Sequence, residues 1–256
     1  MRVAITGGAT GIGAATIEKL KARGATVTAF DIAEPKGADF WVKVDLSDPA
    51  SINAALAAAK GPFDALLNNA GVPPKEGLAA MVLKINYIGF RMFHDGMLDQ
   101  LRDGAAIVNT ASRAGMMWRE NLDEVNALRA LPTFDDVDEF VTSRGIDATR
   151  AYNLSKEAVI VETMARTEDL IRRGLRANSV SPAAVSTGIL DDFLQAFGDR
   201  ARNAVARAGR AGAPEEIADL IVFLASPESN WIKGQNVLID GGMSAMAMSD
   251  GLGLTA

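Results

Sequence analysis

Tyr152 and Lys156 stand four positions apart in Ala-Tyr-Asn-Leu-Ser-Lys-Glu-Ala. Residues at i and i+4 share one face of a helix, so the spacing puts an ammonium beside a phenol. A free phenol, with a pKa of about 10, exchanges protons poorly at neutral pH, and a nearby cation favours its ionised form. Bringing it to neutrality takes roughly 4 kcal/mol, at ~1.4 kcal/mol per unit. Lysine alone falls short of that; a second positive charge docked alongside would make up the rest. The pair reads as a general acid/base whose weight depends on what stands elsewhere in the chain.

At the other end of the sequence lies the group that could bring such a charge. Met1 to Ile5 form a short apolar run suited to a buried strand, followed by Thr6-Gly-Gly-Ala-Thr-Gly-Ile-Gly13. Ala14 to Arg23 are then rich in helix formers, and Gly24 ends the stretch. Strand, glycine turn and helix are the context that a dinucleotide-binding motif requires. Gly7, Gly11 and Gly13 let the chain turn, let a pyrophosphate approach and let helix and strand pack closely, with Thr10 and Ile12 between them. The helix N-terminus offers unpaired N–H groups to phosphate. A second strand, Thr26 to Phe30, ends at Asp31, where a carboxylate accepts hydrogen bonds from ribose hydroxyls and repels a 2′-phosphate. No Arg or Lys stands in the glycine loop or directly after Asp31, and Lys36 is the nearest. The expected cofactor is therefore NAD(H) rather than NADP(H). A plain glycine turn beside a surface aspartate is the alternative.

These groups need a frame. Strand-like runs occur at Val3–Thr6, Thr26–Asp31, Phe40–Val44, Ala65–Asn68, Ala106–Thr110, Arg176–Ser181 and Asn236–Ile239. Between them lie helical patterns, among them Ser51–Lys60, Ala79–Leu101, Ala151–Arg173 and Pro214–Leu224. Continuous apolar strands alternating with helices imply right-handed βαβ units. The expected fold is α/β, a single Rossmann-type doubly wound parallel sheet of about seven strands with helices on both faces. No repeat or flexible linker interrupts it, so residues 1–256 are expected to form one dinucleotide-binding domain. One segment breaks the rhythm: 113–147 holds two acidic helix-forming stretches, Arg119–Leu131 and Phe134–Ser143, separated by Pro132. A structureless loop of that length is uncommon, so a small helical insertion is expected before the Tyr152 helix.

Composition narrows the function classes. With 48% hydrophobic residues and a mean hydropathy of +0.10, the chain buries a substantial core. A net charge of −6 and a pI near 5.0, with no Lys/Arg cluster, argue against a nucleic-acid surface. Absence of cysteine excludes disulfides and thiolate metal sites and fits a reducing cytoplasm, the expected location. No apolar run reaches the ~20 residues of a membrane span, and no signal-peptide pattern opens the chain. His94, the single histidine, excludes multi-histidine metal sites and reads as a helix-face residue without a catalytic role; no metal is expected.

Further polar groups fall where such a sheet exposes them, at the carboxyl ends of strands. They are Asn68-Asn69-Ala70-Gly71, Asn86 in the next helix, Ser112, and Pro182-Ala-Ala-Val185-Ser-Thr187. Taken with Thr-Gly-x3-Gly-x-Gly, Tyr-x3-Lys and a late Asp240-Gly-Gly, the ordered set resembles the short-chain dehydrogenase/reductase family in its classical form, over essentially the whole chain. The resemblance implies that Tyr152 is the general acid/base, that Ser112 holds the same substrate oxygen, and that Lys156 binds nicotinamide-ribose hydroxyls and lowers the Tyr152 pKa. It implies too that Asn86 holds a relay water and that Asn69, Ala70 and Gly71 line the adenine-ribose side. By the same resemblance Thr187, with Pro182 and Val185, holds the nicotinamide end, and Asp45 with Leu46 receives the adenine. Taken singly, Ser112 also reads as a turn serine, Asn86 as a buried amide, Asp45 as a helix cap and Thr187 as a helix start.

Three departures qualify the match. Ala183 stands where the family commonly has glycine, the 71–86 segment is short, and the 112–152 segment is long. The last two resemble the bacterial 3α-hydroxysteroid dehydrogenase/carbonyl reductase subgroup, whose members oxidise hydroxysteroids reversibly and reduce other carbonyls. Aryl-, cyclic-alcohol or diol dehydrogenases of similar build compete with that reading. Met116, Met117, Trp118, Ile189, Leu190, Phe193, Phe197, Met243, Met246 and Met248 are candidate walls for a hydrophobic alcohol or ketone, or simply packing residues. Segment 186–208 is expected to be a mobile lid. Because the insertion enters beside the surface through which family members associate, a dimer or an altered tetramer is expected. A non-catalytic NAD(H)-sensing regulator is the reading of another class; retention of Tyr152, Lys156, Ser112 and Asn86 argues for the enzyme.

Overall fold

In the computed structural model, residues 1–254 are described. Seven strands, β1 (Arg2–Thr6), β2 (Thr26–Asp31), β3 (Phe40–Lys43), β4 (Phe63–Asn68), β5 (Leu101–Thr110), β6 (Arg176–Pro182) and β7 (Asn236–Ile239), form one sheet. Its order is β3-β2-β1-β4-β5-β6-β7, and every pairing is parallel. The chain runs outward from β1 to β3 and then returns to β4 on the other side of β1. That reversal opens a crevice at the carboxyl ends of β1 and β4.

Strand side chains alternate between two cores. Val3 and Ile5 of β1, with Ala65 and Leu67 of β4, face α1 (Gly11–Ala22) and α10 (Pro214–Ala225) through Ile17, Leu20, Ile217 and Ile221. Ala4, Leu66 and Ile107 face the other layer. That layer comprises α2 (Pro49–Ala58), α3 (Ala79–Leu83), α4 (Phe90–Met97), α5 (Leu122–Arg129), α6 (Asp136–Arg144), α7 (Ala148–Ala165) and α8 (Thr167–Arg172). The remaining helices, α9 (Leu190–Ala208) and α11 (Met243–Leu252), lie over the carboxyl side with few buried residues.

The stretch expected as one helix from Ala79 to Leu101 is broken. Lys84–Gly89 form a π-helical turn, Leu98–Gln100 a 3-10 turn, and Leu101 already belongs to β5. The expected insertion is present as α5 and α6. Val125, Leu128, Val137 and Phe140 enter the same core as α7, so the insertion is packed rather than hanging. Two buried carboxylates of α7 tether it. Glu157 takes a fork from Arg150 (3.0 and 2.7 Å) and a bond from Asn121 (2.7 Å). Glu162 accepts from Arg129 Nε at 2.8 Å, from the Tyr87 hydroxyl at 3.0 Å and from Arg166.

His94 sits on α4 as expected, but its face is the core. Its Nδ1 lies 3.3 Å from Asn68 Nδ2, and burial pushes its pKa down to about 3. Among the described residues no His, Cys, Asp or Glu cluster could hold a metal ion, and no helix is long and apolar enough to cross a membrane.

Candidate active site

The crevice is stitched together at its base. Thr6 Oγ1, at the end of β1, accepts from the amides of both Asn69 and Ala70 at 3.1 Å. Asn69 Nδ2 returns a bond to the Gly7 carbonyl at 2.9 Å. Gly7 turns with φ +69°, and a Cβ there would lie 2.6 Å from Ala70 Cα. A Cβ on Gly13 would fall 1.8 Å from the Gly7 carbonyl oxygen, so only glycine permits α1 to start so close to β1. Thr10 precedes α1 without capping it, and no acidic residue stands in the first turn. The amides of Gly11, Ile12 and Gly13 therefore begin a twelve-residue helix with neither an intrahelical acceptor nor a side-chain cap. An anion fits that end.

Asp31 closes the side of this cradle. Its Oδ2 accepts from the Ala9 amide at 2.9 Å and its Oδ1 from the Ala33 amide at 3.1 Å. Both partners are backbone groups, and each oxygen keeps a second lone pair for a vicinal diol. The residues present thus fit a dinucleotide with an unphosphorylated adenine-side ribose. Asp45 holds Ser47 through the amide (2.8 Å) and hydroxyl (2.6 Å), while Asp48 caps α2 at Ala50 (2.9 Å). The cap role open to Asp45 thereby belongs to Asp48. Leu46 is buried, and its carbonyl oxygen packs against Gly89 of the π-helical turn.

At the other end of the crevice α7 presents Tyr152 and Lys156. Lys156 Nζ lies 5.8 Å from the Tyr152 ring centroid and donates to the Thr110 carbonyl at 3.0 Å. Ser112, just past β5, reaches the Tyr152 hydroxyl, accepts from the Ala114 amide at 3.2 Å and donates to the Pro182 carbonyl at 3.4 Å. Asn86, in the π-helical turn, clasps Val72 through both amide atoms (2.8 and 3.0 Å). Gly71 lies between it and the lysine, since a Cβ there would meet Asn86 Oδ1 at 3.2 Å and Lys156 Nζ at 3.4 Å. Residues 68 to 156, distant in sequence, are brought to one spot because each follows a strand or lines the adjoining helix.

Burial works against the charged forms of both groups. Burial raises the Tyr152 pKa to about 12, with the Ser112 hydrogen bond opposing the rise, and burial lowers Lys156 to about 8. With the lysine as its one cationic neighbour among the described residues, the phenol is thus less acidic than in water. The cause is an aromatic cover. Phe193 and Phe197 of α9 stack on each other (6.3 Å, 16°) and meet the Tyr152 ring edge-on at 5.1 and 6.2 Å. Desolvation at such a site penalises phenolate and ammonium alike.

The segment leading into α9 spans the crevice. Val185 bridges Gly212, and the Ser186 amide donates to the Gly212 carbonyl at 2.8 Å. Thr187 Cγ2 comes within 3.1 Å of where a Gly11 Cβ would be, so this segment touches the glycine loop. Gly198, with φ +60° and ψ −146°, breaks α9 directly after the aromatic pair, and no residue of α9 is fully buried. Of the other candidate walls, Met116 meets Asn236 Nδ2 through sulfur at 3.7 Å and Trp118 packs on the core under the Arg119 guanidinium. Met243 is buried, Met246 half-buried, and Met117, Ile189 and Met248 are exposed. Sequence reasoning passed over the Thr6 hydroxyl, the Thr110 carbonyl and the Arg113 side chain. Thr6 heads the glycine motif and was within reach of the argument; a backbone carbonyl leaves no mark in a sequence.

Comparison with known proteins agrees with this geometry. Residues 1–122 match the family model described as short chain dehydrogenase, and residues 137–244 match one described as enoyl-(acyl carrier protein) reductase. The stretch between the two matches falls in the insertion. The chain is 32% identical to coniferyl-alcohol dehydrogenase from Pseudomonas sp. (strain HR199 / DSM 7063), over 95% of this chain and 96% of that protein. It is 30% identical to 3-alpha-hydroxysteroid dehydrogenase/carbonyl reductase from Comamonas testosteroni, again over 95% and 96%. Among solved structures, the 3-alpha-hydroxysteroid dehydrogenase from Pseudomonas sp. B-0831 complexed with NADH superposes with a TM-score of 0.86 at 33% identity, covering 97% of this chain and 99% of that one.

Proposed function

Since the chain belongs to the short-chain dehydrogenase family, we propose that it is an NAD(H)-dependent oxidoreductase interconverting a hydrophobic secondary alcohol, of hydroxysteroid type, and its ketone. The observation that carries this reading is the arrangement of one crevice: an uncapped helix start and Asp31 at one end, Tyr152, Ser112 and Lys156 at the other. The dinucleotide, when bound, supplies the hydride acceptor and, in its oxidised form, a positive charge.

Within that frame Tyr152 takes the proton from the alcohol oxygen during oxidation and returns it during reduction. Ser112 holds the same oxygen and stabilises the charge developing on it. Lys156 binds ribose hydroxyls and favours the phenolate. Asn86, clasped to Val72 beside Gly71 and the lysine, holds a water that relays the lysine's proton to solvent, and residues 69–71 with Asp45 border the adenine side. Phe193 and Phe197 exclude water from the reacting oxygen. The whole chain acts as one dinucleotide-binding domain, with 113–147 as its insertion. It associates as a homodimer or altered tetramer, because that insertion covers part of α7.

An aryl or conjugated alcohol is the second substrate class. The stacked phenylalanines favour a planar ring, and one relative is named for coniferyl alcohol. Turnover of steroid, cyclic and aryl alcohols with NAD+ separates the classes. Tyr152→Phe should lose at least ~100-fold in kcat, the contribution of a positioned general acid/base. Full turnover by that variant would overturn the mechanism, and tighter binding of NADPH than of NADH would overturn the role of Asp31.

A further inference from the structure

The turn that carries Ser112 is held at both ends. On one side Gly115 lies against α7, where a Cβ would sit 2.7 Å from the Lys156 carbonyl carbon. On the other side Arg113 reaches across to the C-terminal part of the chain. Its Nε donates to Ser244 Oγ at 3.1 Å and lies 3.8 Å from Asp240 Oδ2. Asp240 is itself nearly buried, with 8% of its side chain exposed, and both of its oxygens are occupied by the start of α11. Oδ1 accepts from the Gly242 amide at 3.0 Å and Oδ2 from the Ser244 amide at 2.8 Å. Gly241 and Gly242, at φ +61° and +83°, allow the chain to fold back onto that carboxylate. Only Met243 of α11 is fully buried, so apolar burial does little to seat this helix. Asn236, where β7 begins, extends the same contact by meeting the Met116 sulfur while holding Ser179 and Ser181.

We propose that Arg113 is a positioning residue, fixing the Ser112 turn to Asp240 and Ser244 so that the C-terminal Asp-Gly-Gly turn and α11 form part of the active-site frame. The geometry of Ser112 supports this. Besides the Tyr152 hydroxyl it addresses, its side chain has a long bond to Pro182 and one amide of its own turn, so its aim follows the turn Arg113–Gly115. A turn fixed at Gly115 alone could pivot, and a displacement of about 1 Å can cost two orders of magnitude in rate. The inference rests on the role assigned to Ser112 under the proposed function.

The test combines exchange and kinetics. Arg113→Met keeps the aliphatic stem and removes the guanidinium. Amide hydrogen exchange in the NADH-loaded protein should quicken in peptides covering 110–116, while peptides covering 152–160 keep wild-type rates. In turnover, kcat should fall about tenfold or more with little change in NADH affinity, and Arg113→Lys should recover part of the loss. Placed in a Ser112→Ala background, Arg113→Met should cost nothing further in kcat. Ser244→Ala, a milder cut of the same link, should show the exchange effect if Arg113→Met fails to fold. Unchanged exchange in 110–116, or a kcat loss that multiplies with that of Ser112→Ala, would overturn the inference. A wild type that oxidises no alcohol would instead sink the proposed function, with the exchange experiment still deciding whether Arg113 holds the turn.

Discussion

Lys156→Met should stabilise the cofactor-free protein at pH 7 while abolishing turnover. Burial takes the lysine from its ordinary 10.5 down to about 8. At ~1.4 kcal/mol per unit, keeping the ammonium charged in this site costs about 3 kcal/mol of folding free energy at neutral pH. The Thr110 carbonyl, 3.0 Å away, loses its donor in the variant, which returns about 1–2 kcal/mol of that gain. The net is a gain of about 1–2 kcal/mol, or a melting temperature higher by roughly 3–6 °C for a chain of this size. Its pH dependence has a definite sign. Between about 8 and 10.5 the unfolded chain holds the lysine proton and the folded one has released it, so wild-type stability rises with pH there. Tyr152 acts oppositely: its folded pKa of about 12 exceeds the unfolded value of 10.0, so its contribution is lost as pH climbs from 10 toward 12. Thermal melts of both proteins from pH 7 to 10, without cofactor, measure the difference directly. It should be largest at pH 7 and shrink above pH 8. A variant melting at or below wild type at pH 7, or a difference that stays flat to pH 10, would refute the desolvation argument.

Three further outcomes follow from the same contacts. Tyr152 and Tyr87 are the chain's two tyrosines, and burial raises the Tyr87 hydroxyl beyond ordinary titration. Removing the aromatic cover with Phe193→Ala and Phe197→Ala should therefore move a single tyrosinate transition, read by ultraviolet absorbance, from about 12 toward 10; an unmoved transition would separate the phenol from its cover. Glu162→Gln leaves Arg129 and Arg166 without their shared carboxylate and should cost about 3–5 kcal/mol. It should also erase the stability that wild type loses as pH falls from the ordinary carboxyl range of 4.5 through about 2, and quicken proteolysis within 119–145. Equal melting and cleavage would mean the insertion is held by its apolar face alone. Gly13→Ala puts a methyl 1.8 Å from the Gly7 oxygen, so the glycine loop must open; NADH affinity by fluorescence titration should drop at least ~10-fold, and wild-type affinity would contradict the cradle.

How much of this was readable in the residues differs by level. The bounds of β2 and β7 coincide with their apolar runs, and every loop expected at a strand's carboxyl end is there, because parallel βαβ winding leaves few places for it to go. β5 begins at Leu101 rather than Ala106, since Arg102, Asp103 and Gly104 are exposed and carry no apolar signal. The π-helical turn at Lys84–Gly89 escaped for a related reason. One inserted residue shifts the register of a helix without altering its composition, and here Gly89 packs against the Leu46 carbonyl, a backbone group. Asp45 alone reads as a cap in the residues, whereas Asp48, three positions on, is the one that meets the first turn of α2.

The charge state of Tyr152 lay outside sequence reasoning for a deeper reason. The i, i+4 lysine argues for an acidic phenol, and the lysine is indeed there, yet its own pKa is lowered by the same burial that raises the tyrosine's. Two groups that share a dry site lose charge together unless a third charge arrives. The cover responsible comes from Phe193 and Phe197, on a helix with no fully buried residue and a break at Gly198, so it is the part of the site least bound to the core. At neutral pH the covered phenol stays protonated while the ammonium beside it is held at a cost. Entry of an oxidised dinucleotide would add positive charge at the point where phenolate and ammonium are both penalised, favouring the phenolate while ribose hydroxyls take over the lysine's hydrogen bonds. Under the proposed mechanism the acid/base power of Tyr152 would then depend on the cofactor, through the depth of burial as well as the Tyr-x3-Lys spacing.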